Sequence, residues 1–137
     1  MREHQNYLDK AQQSLRGAES ELEQRRFDNT ANRAYYACFQ AAVAALMAAD
    51  VLAQTEAGGI ISHQTVHSSF SGLLIRRRKV YPLRLARVLQ DLLRDCIIAD
   101  YRAVPISASR AARLVGQCQA FVSEIESHLR AAPGENE

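Results

Sequence analysis

Residues 31–49 read Ala-Asn-Arg-Ala-Tyr-Tyr-Ala-Cys-Phe-Gln-Ala-Ala-Val-Ala-Ala-Leu-Met-Ala-Ala, and this stretch decides the fold. It contains no glycine or proline and is dominated by alanine, the best helix former. It is apolar nearly all round, which marks a helix enclosed by others. Besides the two phenols, Arg33 is its one ionisable side chain. A guanidinium there must meet a carboxylate from another helix or line a polar groove. Tyr35 and Tyr36 project about 100° apart on a helix, so one can pack while the other reaches water or a partner.

Working outward, Leu8, Ala11, Leu15, Ala18 and Leu22 recur at three- and four-residue steps, predicting a helix over about 6–26. Asp28 or Asn29 is the expected N-cap of the next helix, which runs to about Val51. Residues 54–61, with Gly58 and Gly59, read as a loop. Ser62 caps a third helix through about Arg76, with Val66, Phe70 and Leu73 or Leu74 facing inward. Pro82 suits the start of a fourth helix, whose seam is Leu85, Val88 or Leu89, Leu92 and Cys96 or Ile97. It ends near Asp100 and Tyr101. After Pro105, Ser107 or Ser109 caps a fifth helix with the seam Ala111, Leu114, Cys118, Phe121, Val122, Ile125 and Leu129. No alternating strand pattern of convincing length is present. The expectation is an all-α, up-and-down bundle of four long helices plus one shorter, a single domain over 1–132 with a flexible tail at 133–137.

At 137 residues there is room for one core and no second domain. The longest uncharged run is short and alanine-rich, so no membrane span is expected. The polar N-terminus has no apolar signal core. Cys38, Cys96 and Cys118 stand far apart with no Cys-x-x-Cys spacing, and their odd number argues against a disulfide framework. These features together predict a cytoplasmic protein with reduced, packed thiols.

Net charge is +2, but residues 57–90 carry six basic residues and no acid. Arg76, Arg77, Arg78 and Lys79 form one run, and Arg84 and Arg87 follow on the next helix. Such a run is ordinarily a solvated turn; its alternative is a phosphate-contacting, RNA-binding patch. Tyr81 is the one aromatic beside it, so backbone contact rather than base stacking is the expectation.

His63 and His67 lie four apart and share a helical face, as a two-histidine metal site requires. Gln64 stands where a zincin helix carries glutamate, and no cysteine or carboxylate is near in sequence, so no metal and no cofactor are expected. His67 reads as a surface histidine. His63 follows the cap, where the helix dipole disfavours imidazolium, and is expected to stay neutral and able to accept a proton.

Three segments carry a family resemblance. Asn32-Arg33-Ala34-Tyr35-Tyr36-Ala37-Cys38-Phe39, the Ser62-His63 helix start, and Arg94 preceding Ala99-Asp100-Tyr101 resemble, in order, signatures of small prokaryotic HEPN-domain proteins of the nucleotidyltransferase-associated type. That resemblance implies a helical bundle that forms a homodimer, and an RNA-binding, toxin-like component of a two-component, toxin–antitoxin type module with a small nucleotidyltransferase partner. HEPN ribonucleases use an arginine followed four to six residues later by a histidine. Here Arg94 has Ile98, Ala99 and Asp100 at those three offsets and no histidine, which points to a non-catalytic nucleotide- or protein-binding module as one alternative. An active metal-independent endoribonuclease is the other. The residues carried over are Arg94, Asp100 and His63 for catalysis, and Arg33, Tyr36 and Tyr101 for a groove or a modification site.

Overall fold

The structure, a computed structural model, describes residues 2–51, 62–101 and 105–131. The expected loop at 54–61 and the tail lie outside them. The described residues hold α1 (Arg2–Glu23), α2 (Phe27–Ala48), α3 (His63–Ser69), α4 (Leu83–Tyr101) and α5 (Ala108–Ala131). A π-helical segment, Phe70–Arg77, continues α3. No strand occurs among the described residues.

The chain is all-α, and its four long helices alternate in direction. Ser14 on α1 bonds Gln40 on α2, while Glu21 near the end of α1 accepts from Asn29 at the start of α2. Asn32 near the start of α2 bonds Asp100 at the end of α4. Arg84 and Asp95 along α4 pair with Glu124 and Arg110 in reverse order along α5. The shorter α3 runs beside α2 in the same direction, with His63 against Tyr35 and Arg78 reaching the Ala49 carbonyl at 3.3 Å.

Helix α2 is the buried axis. From Ala41 to Met47 every residue is buried, and Ala31, Ala34, Ala37 and Cys38 are fully so. Small side chains let the neighbouring backbones approach closely; the Cys118 thiol donates to the Ala34 carbonyl at 3.3 Å. The α5 seam is buried at every expected position, and α4 buries Leu85, Leu89, Leu92 and Cys96. Of the alternatives at the end of that seam, Cys96 is inside and Ile97 is 48% exposed.

Two details differ from the expectations. Helix α2 begins at Phe27, and neither Asp28 nor Asn29 is its N-cap. The Asp28 carboxylate instead accepts from the Ile106 backbone N–H at 2.9 Å, satisfying the chain just before α5. In the second helical half of 63–77 the inward residues are Phe70, Leu74 and Ile75. Widening to a π turn moves the inner face from Leu73 to Ile75, and Arg78 N–H closes on Leu73 O, five residues back, at 2.8 Å. The turn ends with Lys79 at φ 55°, a left-handed residue that brings Val80 N–H onto Leu74 O at 2.7 Å.

Candidate functional site

Tyr35 occupies the α2 face that meets α3 and is 1% exposed. A buried phenol needs partners for its hydroxyl. They come from one face of α3: the hydroxyl lies 2.7 Å from His63 Nδ1 and 2.9 Å from His67 Nε2. The four-residue spacing of the histidines is what lets both reach one oxygen. His63 stacks on Phe39 with ring centroids 4.3 Å apart, and Tyr36 meets it edge-on at 5.9 Å. Ser62 caps the helix, its hydroxyl accepting from Thr65 N–H at 3.3 Å.

One turn earlier on α2, Asn32 turns to α4. Its amide donates to both oxygens of Asp100 at 3.2 Å and lies 3.5 Å from Cys96 Sγ. The Cys96 thiol itself points to Asp100 Oδ2 at 3.9 Å. Asn32 and Tyr36 are half-buried, while His63 and Asp100 are exposed, so the cluster opens to the surface. The three signature segments therefore meet in space: Asn32 holds Asp100 and Tyr35 holds His63.

The electrostatics fix which groups keep their protons. Burial, with Tyr36 second, pushes the Tyr35 phenol well above its ordinary range. Burial, then the neighbouring His63, lowers His67 and keeps it neutral. Burial, then the Asp100 carboxylate, pushes the Cys96 thiol up to about 11. Thiolate is the nucleophilic form, so Cys96 is a packed donor. Burial raises Cys38 as well, with Cys118 adding to it.

The other candidates lie elsewhere. Arg33 is exposed, and its stem runs along α1, where a Cβ at Gly17 would sit 3.7 Å from Arg33 Cδ. It meets no carboxylate among the described residues. Arg94 is exposed and paired with Asp91 on its own helix. Tyr101 is 82% exposed. In the basic run, all four side chains are exposed, but Arg78 is engaged with the α2 C-terminal carbonyl of Ala49. One guanidinium nitrogen of Arg84 donates to both carboxylate oxygens of Glu124, at 2.8 and 3.1 Å. Arg76, Arg77, Lys79 and Arg87 have no polar side-chain partner among the described residues.

Sequence reading missed Asn32, Tyr35 and Cys96 as parts of the groove, and it took His67 for a surface residue when it is half-buried and bonded. The available signal was the pair of histidines on one face of a helix opposite a buried tyrosine. Among the described residues no cluster of three or more metal-ligating side chains occurs.

A family model for the HEPN domain matches residues 4–128. The chain belongs to the HEPN family. A similar protein is UPF0332 protein glr0978 of Gloeobacter violaceus, 33% identical over 99 residues that cover 72% of this chain and 72% of that protein. HEPN membership brings a general nucleotide- or RNA-related role. No helix among the described residues of this HEPN protein is long and apolar enough to cross a membrane.

Proposed function

We propose that this HEPN protein is an RNA-binding, toxin-like component of a two-component module, working in the cytoplasm as a homodimer with a small nucleotidyltransferase. The observation that carries this reading is the junction of the three signature segments into one cluster open to the surface by the Asn32–Asp100 and Tyr35–His63 bonds. The groove offers Tyr36, His63 and Asp100 to a ligand, and Arg76, Arg77 and Lys79, at and just beyond the far end of the π-helical continuation of α3, offer positive charge to a phosphate backbone.

The dimer surface in this reading is the outer stripe of α4. Leu83, Arg87, Gln90, Arg94, Ile97 and Tyr101 recur at alternating four- and three-residue steps, the period of a helix-pairing seam, and all are exposed. Leu83, Ile97 and Tyr101 are also the large hydrophobic side chains that are exposed among the described residues. Tyr101 closes that stripe, so a nucleotidyltransferase partner reaches it in the unpaired chain, where it is 82% exposed.

A non-catalytic binding module is the second reading, and the placement of Arg94 favours it. Residues two apart on a helix project about 200° apart, so Arg94 points nearly opposite Cys96, which faces the groove. Arg94 and His63 of one chain thus serve different surfaces.

The test combines binding and cleavage with a fluorescein-labelled, mixed-sequence single-stranded RNA. Binding by the wild type, weakened by His63→Ala and by neutralising Arg76, Arg77 and Lys79 with helicity intact, is the expected result. Cleavage lost in His63→Ala would favour the endoribonuclease alternative. Absence of any RNA binding would refute the proposal, and a monomeric mass at tens of micromolar would remove its dimer.

A further inference from the structure

The Tyr35 hydroxyl carries one proton and has two imidazole neighbours. It therefore donates to one ring and accepts an N–H from the other. In one arrangement Tyr35 donates to His63 Nδ1 and receives His67 Nε2–H; in the other the directions are reversed. The distances favour the first: an O–H donor tends to make the shorter bond and an N–H donor the longer, and the 2.7 Å contact is to His63 while the 2.9 Å contact is to His67. Burial supports both premises, since it keeps Tyr35 a phenol and His67 neutral.

With Nδ1 accepting from Tyr35, a neutral His63 carries its proton on Nε2. The ring is exposed, backed by Phe39, and has no other hydrogen bond among the described residues. We propose that His63 is a fixed hydrogen-bond donor of the groove, with Tyr35 and His67 as positioning residues that turn its Nε2–H toward the ligand. This rests on the nucleotide- and RNA-binding reading above and assigns the chemistry of one contact in it. The group it takes is a neutral acceptor, a base carbonyl or ring nitrogen. The Asp100 carboxylate, tethered to the preceding turn of α2, disfavours a phosphate at the same place. His63 in this state is no proton acceptor, because Nε2 is already protonated and Nδ1 is engaged.

The first measurement is the tautomer of each histidine in the unliganded, nitrogen-15-labelled protein at pH 7.5, read from long-range proton–nitrogen correlations. The expected result is a protonated Nε2 and a bare Nδ1 on His63. A proton on Nδ1 of His63 overturns the proposal. Tyr35→Phe should move the His63 Nδ1 resonance toward that of free imidazole, and no movement would overturn it. Should that variant not fold, the wild-type tautomer and the binding arm decide. There, His63→Ala should weaken binding of the labelled RNA by about 3- to 10-fold, the scale of one hydrogen bond. His63→Gln, which keeps an N–H donor, should restore most of the loss, and equal loss in both variants overturns the donor role. The salt slope should stay as in the wild type; a fall of about 0.7 would make His63 a cationic phosphate contact and overturn its assignment as a neutral donor. A wild-type chain that binds no RNA refutes the functional reading, while the tautomer still decides the relay by itself.

Discussion

The basic run at 76–79 is not four equivalent charges, and the difference can be measured. Arg78 donates to the Ala49 carbonyl at the end of α2, so its guanidinium is held against the bundle, whereas Arg76, Arg77 and Lys79 are exposed and meet no acid among the described residues. If this turn contacts RNA, each of the three neutralises one phosphate. A single-stranded contact contributes about 0.7 to the log–log salt slope, so the triple variant Arg76→Gln, Arg77→Gln, Lys79→Gln should lower the slope by about 2. Between 50 and 200 mM salt, a slope of 2 corresponds to about 16-fold in affinity, so the wild type should lose about 16-fold more binding than the variant over that interval. Arg78→Gln alone should leave the slope nearly unchanged. It should instead cost about 0.5–1 kcal/mol of stability, the scale of one hydrogen bond at a helix C-terminus. Anisotropy titrations of a labelled mixed-sequence RNA at several salt concentrations, with urea unfolding in parallel, supply both numbers. An unchanged slope in the triple variant would remove this turn as the RNA contact. A slope loss in Arg78→Gln as large as that of the triple variant would show that the Ala49 bond does not occupy the side chain.

Two further outcomes follow from buried groups. Asp95 is 2% exposed and pairs with Arg110 at 2.7 Å, so Arg110→Met should destabilise by about 2–3 kcal/mol. That is below the usual figure for a fully buried pair because the Arg110 side chain is 40% exposed. Pairing it with Asp95→Leu should recover much of the loss in urea unfolding, and a cost under about 0.5 kcal/mol for the single variant would count against the pair. The Cys96 thiol should titrate near 11, against an ordinary value of 9.0, in a carbon-13 Cβ titration of labelled cysteine, and Asp100→Asn should move the midpoint down. Because the folded-state value is raised, the associated stabilisation is fully present below pH 9 and is lost as pH rises through about 11. A Cys96 midpoint at 9 would refute the assigned burial.

The fold was legible because its decisive signals are local and periodic. The nearly all-apolar alanine helix marks an axis, and the α5 seam, from Ala111 to Leu129, is buried at every expected position. What sequence did not disclose depends on partners distant in the chain. Asp28 is a good cap by type, yet Ile106 N–H, which closes the turn into α5, takes its carboxylate. Tyr35 and Tyr36 are chemically identical in sequence, and only the position of α3 decides that Tyr35 is the buried hub. His67 lies between the inward Val66 and Phe70, and only the Tyr35 hydroxyl on α2, 32 residues away in the chain, makes it a bonded residue. The π widening after Ser69 was likewise invisible, since a change from four to five residues per bonded turn leaves Val66, Phe70 and Leu74 in ordinary helical spacing.

The two faces of α4 explain why its arginine and its aspartate need not act together within one chain. Cys96 and Asp100, one turn apart, face α2, where Asn32 binds the carboxylate. Arg94, Ile97 and Tyr101 fall on the outer stripe, and Tyr101 is turned about 100° from the Asp100 it follows. A ligand in the groove therefore meets His63 and Asp100 without meeting Arg94 of the same chain. Pairing two copies stripe to stripe would leave the second copy's Arg94 on that same outer side of α4, away from the Asp100 carboxylate. The exposed Arg94–Asp91 pair contributes at most about 1 kcal/mol, so it opens at little cost and frees Arg94 for a contact on the outer face.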